Sequence, residues 1–408
     1  MMHFLRAEAR WLFAGFLLCL SSSFGQTYFI SLSNDVLMQR FDLNHGGIGL
    51  VYALATTASA LILLEFGKLV DCVTTRTAAL VVAFGLAGAC LLMAMVQAVR
   101  MLFFAFLALR LFGQGMMSQV AMTATGRWFD ARRGRAISIV TLGYAAGIAF
   151  MPAAAVAVIS ALGFQQLWWL SAAIMILVAA PLLFALLSRE RVPQGSALDD
   201  DQPPALEKHS WRRAQLLRAP VFWILMTGLL CPSFMFTSLL FHQLNLIEVK
   251  GWDMARYASV FSVFAIVQVC ASLLSGGLID RFSARQMLPF YLLPMTLGLI
   301  GLASVDGFWI AFPAMMLVGF TAGFDSSIAG ALWPELFGLK YLGELRALTF
   351  AAVASAVSPM VTGWLIDRGV AFPHQLLFMG LYSIAASGVM LALQPRLFAI
   401  ATDAAKPA

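Results

Sequence analysis

Charged side chains are scarce in this sequence: they make up 11% of the 408 residues, whereas hydrophobic residues make up 61%. A soluble globular domain carries about twice that share of charge. The shortage of charge, together with apolar runs along the whole chain, excludes an ordinary water-soluble protein. The formal net charge of +6 therefore does not indicate nucleic-acid binding, and we expect no nucleic-acid partner.

Motifs that carry enzymatic or metal chemistry are also missing. The five cysteines are scattered and form no C-x-x-C pair, so we expect neither a disulfide framework nor a zinc site. The sequence contains no H-E-x-x-H, no G-x-S-x-G, no phosphate-binding Walker loop and no His/Cys cluster with metal-ligand spacing. We expect a protein that is not an enzyme, with no catalytic residues, no metal and no cofactor.

Apolar runs long enough to cross a hydrocarbon layer about 30 Å thick occur repeatedly. They cover 11–33, 45–66, 77–97, 101–122, 135–159, 165–187, 219–243, 255–275, 286–304, 308–332, 345–366 and 372–394. The pattern predicts an all-α, polytopic membrane protein with twelve transmembrane helices, the first of them uncleaved. At the helix ends, we expect these tryptophans to lie at the membrane–water interface: Trp168, Trp169, Trp252 and Trp309.

One long polar stretch, 188–218, interrupts the apolar runs. Its Pro, Gly and Asp content is typical of a flexible linker. We therefore predict an N-terminal six-helix bundle at 1–187, a cytoplasmic linker at 188–218 and a C-terminal six-helix bundle at 219–408.

The basic residues predict the orientation of the chain in the membrane. With both termini inside, 20 of the 26 Lys and Arg residues lie on the inner side, 5 lie on the outer side, and Arg110 is embedded. Excess Lys and Arg on the cytoplasmic side is the usual bias of membrane proteins, and the opposite topology would invert it. We therefore predict a multi-pass protein of the cell inner membrane with both termini in the cytoplasm.

A short motif occurs twice at a constant spacing. Segment 67–76 is GKLVDCVTTR and segment 276–285 is GGLIDRFSAR, so that Gly67, Asp71 and Arg76 match residues 209 positions later (276 − 67). Each copy follows the second helix of its half. The constant spacing indicates an internal duplication and two pseudo-symmetric halves.

The G-x-L-x-D-x-x-x-x-R pattern resembles the major facilitator superfamily, and the resemblance extends over essentially the whole chain. It implies a secondary transporter that works by alternating access, with helices 1, 4, 7 and 10 around a central cavity. It also implies that the two motifs gate the cytoplasmic side, through Gly67, Asp71, Arg76, Gly276, Asp280 and Arg285.

Two loops extend this resemblance. Segment 123–136 is similar to the loop before the fifth helix of monocarboxylate and oxalate–formate porters, and 334–346 is similar to the corresponding loop of bacterial members. Alternatively, both are basic loops that only fix the topology.

Arg110 is a candidate substrate-binding residue because it lies near the middle of helix 4. A central arginine costs about 2.5–3.5 kcal/mol to insert, so it should face a cavity or a partner. Gln114 lies one turn further on the same face. A guanidinium binds carboxylate or phosphate through two parallel hydrogen bonds. The alternative is a structural arginine bonded to backbone carbonyls or to a buried acid.

Asp325 in helix 10 is the candidate proton-coupling residue. A carboxyl group removed from water can bind and release a proton as its surroundings change. Alternatively, Asp325 is a fixed partner of Arg110 or a charge near the helix end.

Polar residues on helices 1 and 7 complete the predicted substrate site: Gln26, Tyr28 and Thr237. Membrane helices also bury such residues against one another, so packing is the alternative. On helix 5, Gly143 and Gly147 form a small-xxx-small pair that allows close helix packing.

The sequence therefore predicts a secondary active transporter, a symporter or antiporter, that moves a small solute. We expect an organic anion coupled to protons, and a monomer whose partners are the solute, protons and the lipid bilayer. The alternative within transport is efflux of amphiphilic or drug-like compounds, which the 21 Met and 33 Phe residues would suit.

Overall fold

The computed structural model describes residues 2–129, 133–189, 215, 218–337 and 351–404. Within these ranges the chain forms helices and no strands. The predicted linker 188–218 falls almost wholly outside the described residues, and gaps at 130–132 and 338–350 interrupt the two resembling loops.

Twelve helical passes follow one another in the described residues, and the predicted twelve-helix, all-α class is confirmed. The first six passes are helix 1 (Met2–Ser21, Thr27–Ile30 and Asn34–Phe41), helix 2 (His45–Cys72), helix 3 (Thr75–Ala94), helix 4 (Val99–Ala108, the π-helical Leu109–Met117, and Ser118–Trp128), helix 5 (Arg133–Leu162) and helix 6 (Phe164–Ile174, the π-helical Met175–Ala179, and Ala180–Leu186).

The second six passes begin after the gap. They are helix 7 (Pro220–Leu229, Cys231–Phe241 and Gln243–Lys250), helix 8 (Met254–Phe282), helix 9 (Ala284–Met287 and Leu293–Ser304), helix 10 (the 3-10 turn Phe308–Ile310 and Ala311–Phe337), helix 11 (Ala351–Asp367) and helix 12 (Phe372–Ala404).

Length and composition qualify most of these passes as membrane spans. Nine helices in the described residues are long and apolar enough to cross a bilayer, and helix 1 adds a tenth if its two parts, bent by 45°, count as one span. Large apolar side chains also point outward, for example Phe150 (71% exposed) and Leu177 (72% exposed). Exposure of this kind is expected of a surface that faces lipid.

Several helices differ from the predicted apolar runs. Helix 2 continues past residue 66 to Cys72 and helix 12 continues past residue 394 to Ala404, because helical backbone hydrogen bonds do not require apolar side chains. Helix 7, predicted as one run over 219–243, is interrupted at Leu230 and His242 and ends at Lys250.

The spacing of 209 residues recurs in the helix starts, which confirms the predicted duplication. Helices 2 and 8 begin at His45 and Met254 (254 − 45 = 209). Their N-caps keep the same spacing: Asn44 Oδ1 accepts from Gly47 N, and Asp253 Oδ1 accepts from Arg256 N, both at 2.8 Å. Asn and Asp are favoured at this position because their side chains satisfy a free backbone N–H group. The two halves therefore share local signals as well as helix order.

Two compact units can be distinguished by their internal contacts. The first contains helices 1–6 together with Leu240–Ser262 of helices 7 and 8 and Pro359–Gly369 of helix 11. The second contains the remaining parts of helices 7–12. The boundaries at 187 and 219 stay a prediction.

Helix 1 in the first unit is interrupted in its middle. Ser22–Gly25 forms a 3-10 turn and Gln26 has extended backbone (φ −83°, ψ 149°). The hydroxyl of Ser22 donates to Cys19 O at 2.7 Å, and hydrogen bonds of this type from Ser favour bending of a helix. The break leaves backbone carbonyls of helix 1 free to accept other donors.

Glycines let helix 1 approach helices 4 and 5. A Cβ atom at Gly25 would collide with Leu109 O and lie 2.6 Å from the Cα of Gly113. A Cβ atom at Gly143 would collide with Phe16 O, and one at Gly147 would collide with Ser23 Oγ. The predicted close packing through Gly143 and Gly147 is therefore confirmed.

One tryptophan was assigned wrongly. Trp168 is fully buried, and its Nε1–H donates to Ser33 Oγ at 3.1 Å. Its ring also contacts Phe29 edge-on, with ring centroids 5.5 Å apart. A buried Trp N–H needs a hydrogen-bond partner, and Ser33 on helix 1 provides one, so Trp168 can be buried in the core. By contrast, Trp169 and Trp309 are exposed as expected.

Replacing Gly25 by Ala should destabilise the fold, because the added methyl group meets backbone atoms of helix 4 that cannot rotate away. We expect a loss of about 3 kcal/mol in unfolding free energy, seen as a lower thermal unfolding midpoint in detergent. Gly88→Ala is the matched control, since nothing lies within 4 Å of its Cβ position. Equal midpoints for the two variants would contradict this packing.

Candidate functional site

Arg110 is the second residue of the π-helical segment of helix 4 and is only 5% exposed. Short π-helical segments inside α-helices occur frequently at functional sites, because the wider turn re-aims side chains. Here the segment directs Arg110 toward the break in helix 1. A π-helical turn therefore presents the one arginine that the sequence places in mid-membrane.

Neutral groups surround the guanidinium. Arg110 Nη1 donates to Gly25 O at 3.4 Å and to Thr27 Oγ1 at 3.3 Å. Its Cζ lies 5.4 Å from the centroid of the Tyr52 ring, within cation–π range. The hydroxyls of Tyr52 and Thr27 are hydrogen-bonded at 2.7 Å. The cluster therefore holds Arg110 through a carbonyl, a hydroxyl and a ring face.

These contacts stabilise the buried charge of Arg110 but do not neutralise it. Both hydrogen bonds are longer than the usual 2.9–3.0 Å of N–H···O bonds, which leaves them weak. Hydrogen bonds from a charged donor contribute about 1.5–3 kcal/mol each at best, comparable to the insertion cost of about 2.5–3.5 kcal/mol. Arg285 and Glu335 form an ion pair, whereas no carboxylate among the described residues is paired with Arg110.

Three other predicted residues lie in the same unit. Gln114 is partly buried, and its Oε1 has no hydrogen-bond partner among the described residues. Gln26 is partly exposed at the break of helix 1. Tyr28 is buried, and its ring lies 6.4 Å from that of Phe261. The structure thus brings helix 1 and Arg110 together, and binding of a substrate by these residues stays a prediction.

Tyr52 is a contact of Arg110 that the sequence did not predict. Tyr52 lies on helix 2, which is not among the helices expected to line a cavity. A phenol in the middle of an apolar run needs a hydrogen-bond partner, and that requirement is the signal that could have identified it. The fully buried Tyr52 ring also contacts Phe106 and Phe241, so its position is fixed on both sides.

Asp325 and Thr237 belong to the second unit. Asp325 is partly buried near the middle of helix 10, and the structure gives it no ion pair with a described basic residue. One turn earlier, Thr321 accepts from Met295 N and donates to Tyr291 O, both at 3.0 Å, which ties helix 10 to helix 9. Thr237 shares a hydrogen bond of 2.8 Å with Ser355 of helix 11.

The repeated motif can be followed through its arginines, because the side chains of Gly67, Asp71 and Asp280 lie outside what the structure describes. The Cζ atom of Arg76 lies 3.6 Å from the centroid of the Phe184 ring on helix 6. Its counterpart Arg285 lies 4.2 Å from the Phe398 ring on helix 12. Each arginine therefore stacks on an aromatic ring of the last helix in its own half.

Arg285 makes an additional ion pair. Its Nε lies 3.0 Å from Glu335 Oε1 on helix 10, and Glu335 Oε2 accepts from Ala284 N at 3.0 Å. Gln394 of helix 12 donates to Arg285 O at 2.7 Å. The glutamate thus caps the start of helix 9 while it pairs with the arginine. Gly276, exposed in helix 8, has nothing within 4 Å of its Cβ position.

In the described residues, twelve helical passes and two halves related by duplication describe a multi-pass membrane protein. The sequence profile of the Major Facilitator Superfamily matches residues 11–349. The chain belongs to this superfamily, and it is a transporter rather than an enzyme.

A curated member of the superfamily is also similar to this chain in sequence. Over 293 residues the chain is 22% identical to the MFS transporter asaE of Aspergillus flavus, a match that covers 68% of this chain and 62% of that protein. The chain thus spans less than two thirds of that relative's length.

Solved structures show the same fold at low sequence identity. A bacterial homolog of the human lysosomal transporter Spinster, in an inward-facing and unoccupied conformation, superposes with a TM-score of 0.74 at 15% identity, covering 98% of this chain and 99% of that one. A mutant of the nucleoside transporter NupG gives a TM-score of 0.64 at 14% identity, covering 96% and 99%.

Replacing Glu335 by Ala should destabilise the second unit, because Arg285 loses its carboxylate and helix 9 loses its cap. Since both side chains are 22% exposed, we expect a modest loss of about 1–2 kcal/mol. Glu335→Gln keeps a capping oxygen and should lose less. Chemical unfolding in detergent checks this, and a Glu335→Ala protein as stable as the wild type would rule out the cap.

Proposed function

We propose that this protein is a secondary active transporter that moves a small organic anion together with protons by alternating access. The observation that carries the proposal is the buried Arg110, whose described contacts are all neutral. A charge held away from water is most stable when an opposite charge meets it. An anionic solute supplies that charge each time it enters.

The geometry of the arginine suits such a solute. Arg110 uses Nη1 for two long hydrogen bonds to Gly25 O and Thr27 Oγ1, which a stronger acceptor can replace. Guanidinium donors match carboxylate oxygens in pairs, and hydrogen bonds between two charged groups are shorter and roughly twice as strong. The exchange of a weak carbonyl contact for a carboxylate therefore favours binding of an anion at this position. Gln114, with its unpartnered Oε1 and an amide that can donate, lies one turn away on the same helix.

The orientation proposed for the chain rests on its basic residues. With both termini on the same side, that side carries 20 of the 26 Lys and Arg residues, and this bias supports termini in the cytoplasm. The protein then lies in the inner membrane of the cell as a monomer, with Arg76 and Arg285 at the cytoplasmic gate. The stacked rings and the Glu335 pair support this role, since they hold both arginines at the helix ends.

Replacing Arg110 by Ala should raise the KM for an anionic solute by about 100-fold, because a charge-assisted hydrogen-bond pair is lost. Arg110→Lys keeps the charge without the two-point geometry and should lose about tenfold. The KM of both variants is measured from uptake of labelled lactate and oxalate into proteoliposomes under an imposed proton gradient. Arg40→Ala, at an exposed arginine, is the control.

Unchanged anion uptake by the Arg110→Ala protein would exclude the proposed role. If neither anion is transported while the wild type moves ethidium, export of amphiphilic compounds replaces the proposal.

Replacing Asp325 by Asn should uncouple transport from protons, because an amide cannot carry the proton that the carboxyl group binds. We expect accumulation of labelled oxalate to fall to the level of the wild type with a protonophore, while exchange between internal and external solute continues. Asp306→Asn, at an exposed loop position, is the control. Gradient-driven accumulation that persists in the Asp325→Asn protein would remove Asp325 as the coupling site.

A further inference from the structure

A network of hydrogen bonds joins helix 1 to helix 7 a few residues beyond the Arg110 cluster. We call it the seam, and it consists of residues 28–34 of helix 1 and 240–243 of helix 7, all within the first compact unit. Gln243 Nε2 donates to Tyr28 O at 3.1 Å and to Ser31 Oγ at 2.8 Å. In return, Ser31 Oγ donates to Leu240 O at 2.7 Å, and Asn34 Nδ2 donates to Phe241 O at 3.1 Å.

The seam follows the internal duplication of the chain. Asn34 and Gln243 are separated by 209 positions (243 − 34), and so are the hydrogen-bonded Ser31 and Leu240 (240 − 31). Equivalent amide side chains of the two halves therefore each donate to the backbone of the other half. Such reciprocal contacts are typical of an interface that lies on a two-fold axis.

Two buried oxygen atoms of the seam lack a hydrogen-bond donor among the described residues. Gln243 and Asn34 are 1% and 4% exposed, yet Gln243 Oε1 and Asn34 Oδ1 have no hydrogen-bond partner in the described ranges. Buried acceptors of this kind oppose the stabilising effect of the donated bonds, and water would satisfy them if the seam separated. The unsatisfied acceptors therefore lower the free energy needed to open the seam, which a two-state element requires.

A short piece of helix 1 connects the seam to Arg110. Gly25 O and Thr27 Oγ1 accept from the guanidinium, and the next residue, Tyr28, gives its carbonyl to Gln243. Tyr52 provides a second connection, because its hydroxyl bonds to Thr27 at 2.7 Å and its ring centroid lies 4.7 Å from that of Phe241. At most two contacts therefore separate helix 7 at the seam from Thr27, an acceptor of Arg110, so a movement of helix 7 would displace this acceptor.

We propose that Gln243 and Asn34 are positioning residues, which set the affinity of Arg110 for an anion by fixing the interrupted segment of helix 1. With the seam closed, residues 25–31 are held in place, and Arg110 is aimed by Gly25 and Thr27. An anion that draws Nη1 away from these acceptors releases the segment and weakens the seam, and an open seam weakens anion binding by the same factor. This inference rests on the proposed role of Arg110.

Hydrogen exchange tests the seam without any solute. Gln243→Leu keeps the size of the side chain and removes both donated bonds, so backbone amides of residues 27–33 should exchange about tenfold faster. Gln375→Leu is the matched control. Gln375 is equally buried at 2% exposed, and its Nε2 donates to a carbonyl five residues away, Val370 O, at 2.9 Å. Equal exchange of residues 27–33 in the wild type and the Gln243→Leu protein would overturn the proposal.

Transport kinetics test the link to Arg110. In proteoliposomes, Gln243→Leu should raise the KM for labelled oxalate about tenfold at unchanged kcat, whereas Gln375→Leu should leave KM unchanged. In an Arg110→Lys background the Gln243→Leu effect should shrink, because both act on one interaction. An undiminished effect in that background, or a fall in kcat alone, would contradict the positioning role. If Arg110→Ala leaves anion uptake intact, the proposed function fails, and the exchange result then still decides whether the seam holds helix 1.

Discussion

Placing one guanidinium inside a membrane protein, with no acid among the described residues paired to it, constrains much of the first compact unit. Arg110 needs acceptors, and an unbroken helix 1 would keep its backbone carbonyls within its own hydrogen bonds. The break at Ser22–Gly25 frees the carbonyl of Gly25, and the extended Gln26 turns Thr27 toward the same point. The glycine contact between Gly25 and Gly113 then brings helix 4 close enough for the arginine to reach. The helix break, the glycine pair and the π-helical turn together bring hydrogen-bond acceptors within reach of the buried Arg110 guanidinium.

The two halves share their helix starts and N-caps through duplication, but they differ in the charged residues within their helices. The helix starts and N-caps keep the spacing of 209 residues. The position equivalent to Arg110 in the second half is Gly319, whose Cβ would lie 2.7 Å from Phe264 O, and the position equivalent to Asp325 in the first half is Met116. Each half therefore holds a different embedded charge. An asymmetric pair of this kind agrees with the proposal that an anion and a proton bind at separate groups.

Much of the fold was predictable from the sequence, because a bilayer imposes apolar helices of nearly fixed length. The twelve passes, the duplication and the close packing of Gly143 and Gly147 required only hydropathy and spacing. The interruptions of helices 1 and 7 were not predictable from hydropathy, since the apolar runs 11–33 and 219–243 continue through Ser22–Gly25 and Leu230. The burial of Trp168 was missed for a similar reason: its partner Ser33 is distant in sequence. Arg110 stood out because a charge in an apolar run is costly, whereas Tyr52 resembled its hydrophobic neighbours.

Ligand-dependent stability tests most directly whether the uncancelled charge of Arg110 selects anions. A ligand that binds only the folded protein stabilises it by about 2.7 kcal/mol at 100 times its Kd. Thermal unfolding in detergent should be compared with oxalate and lactate and with their neutral amides, oxamide and lactamide, at equal concentration. Stabilisation by at least one anion and none by its amide is the result that the structure predicts. Equal stabilisation by an anion and its amide would show that charge is not what the site recognises.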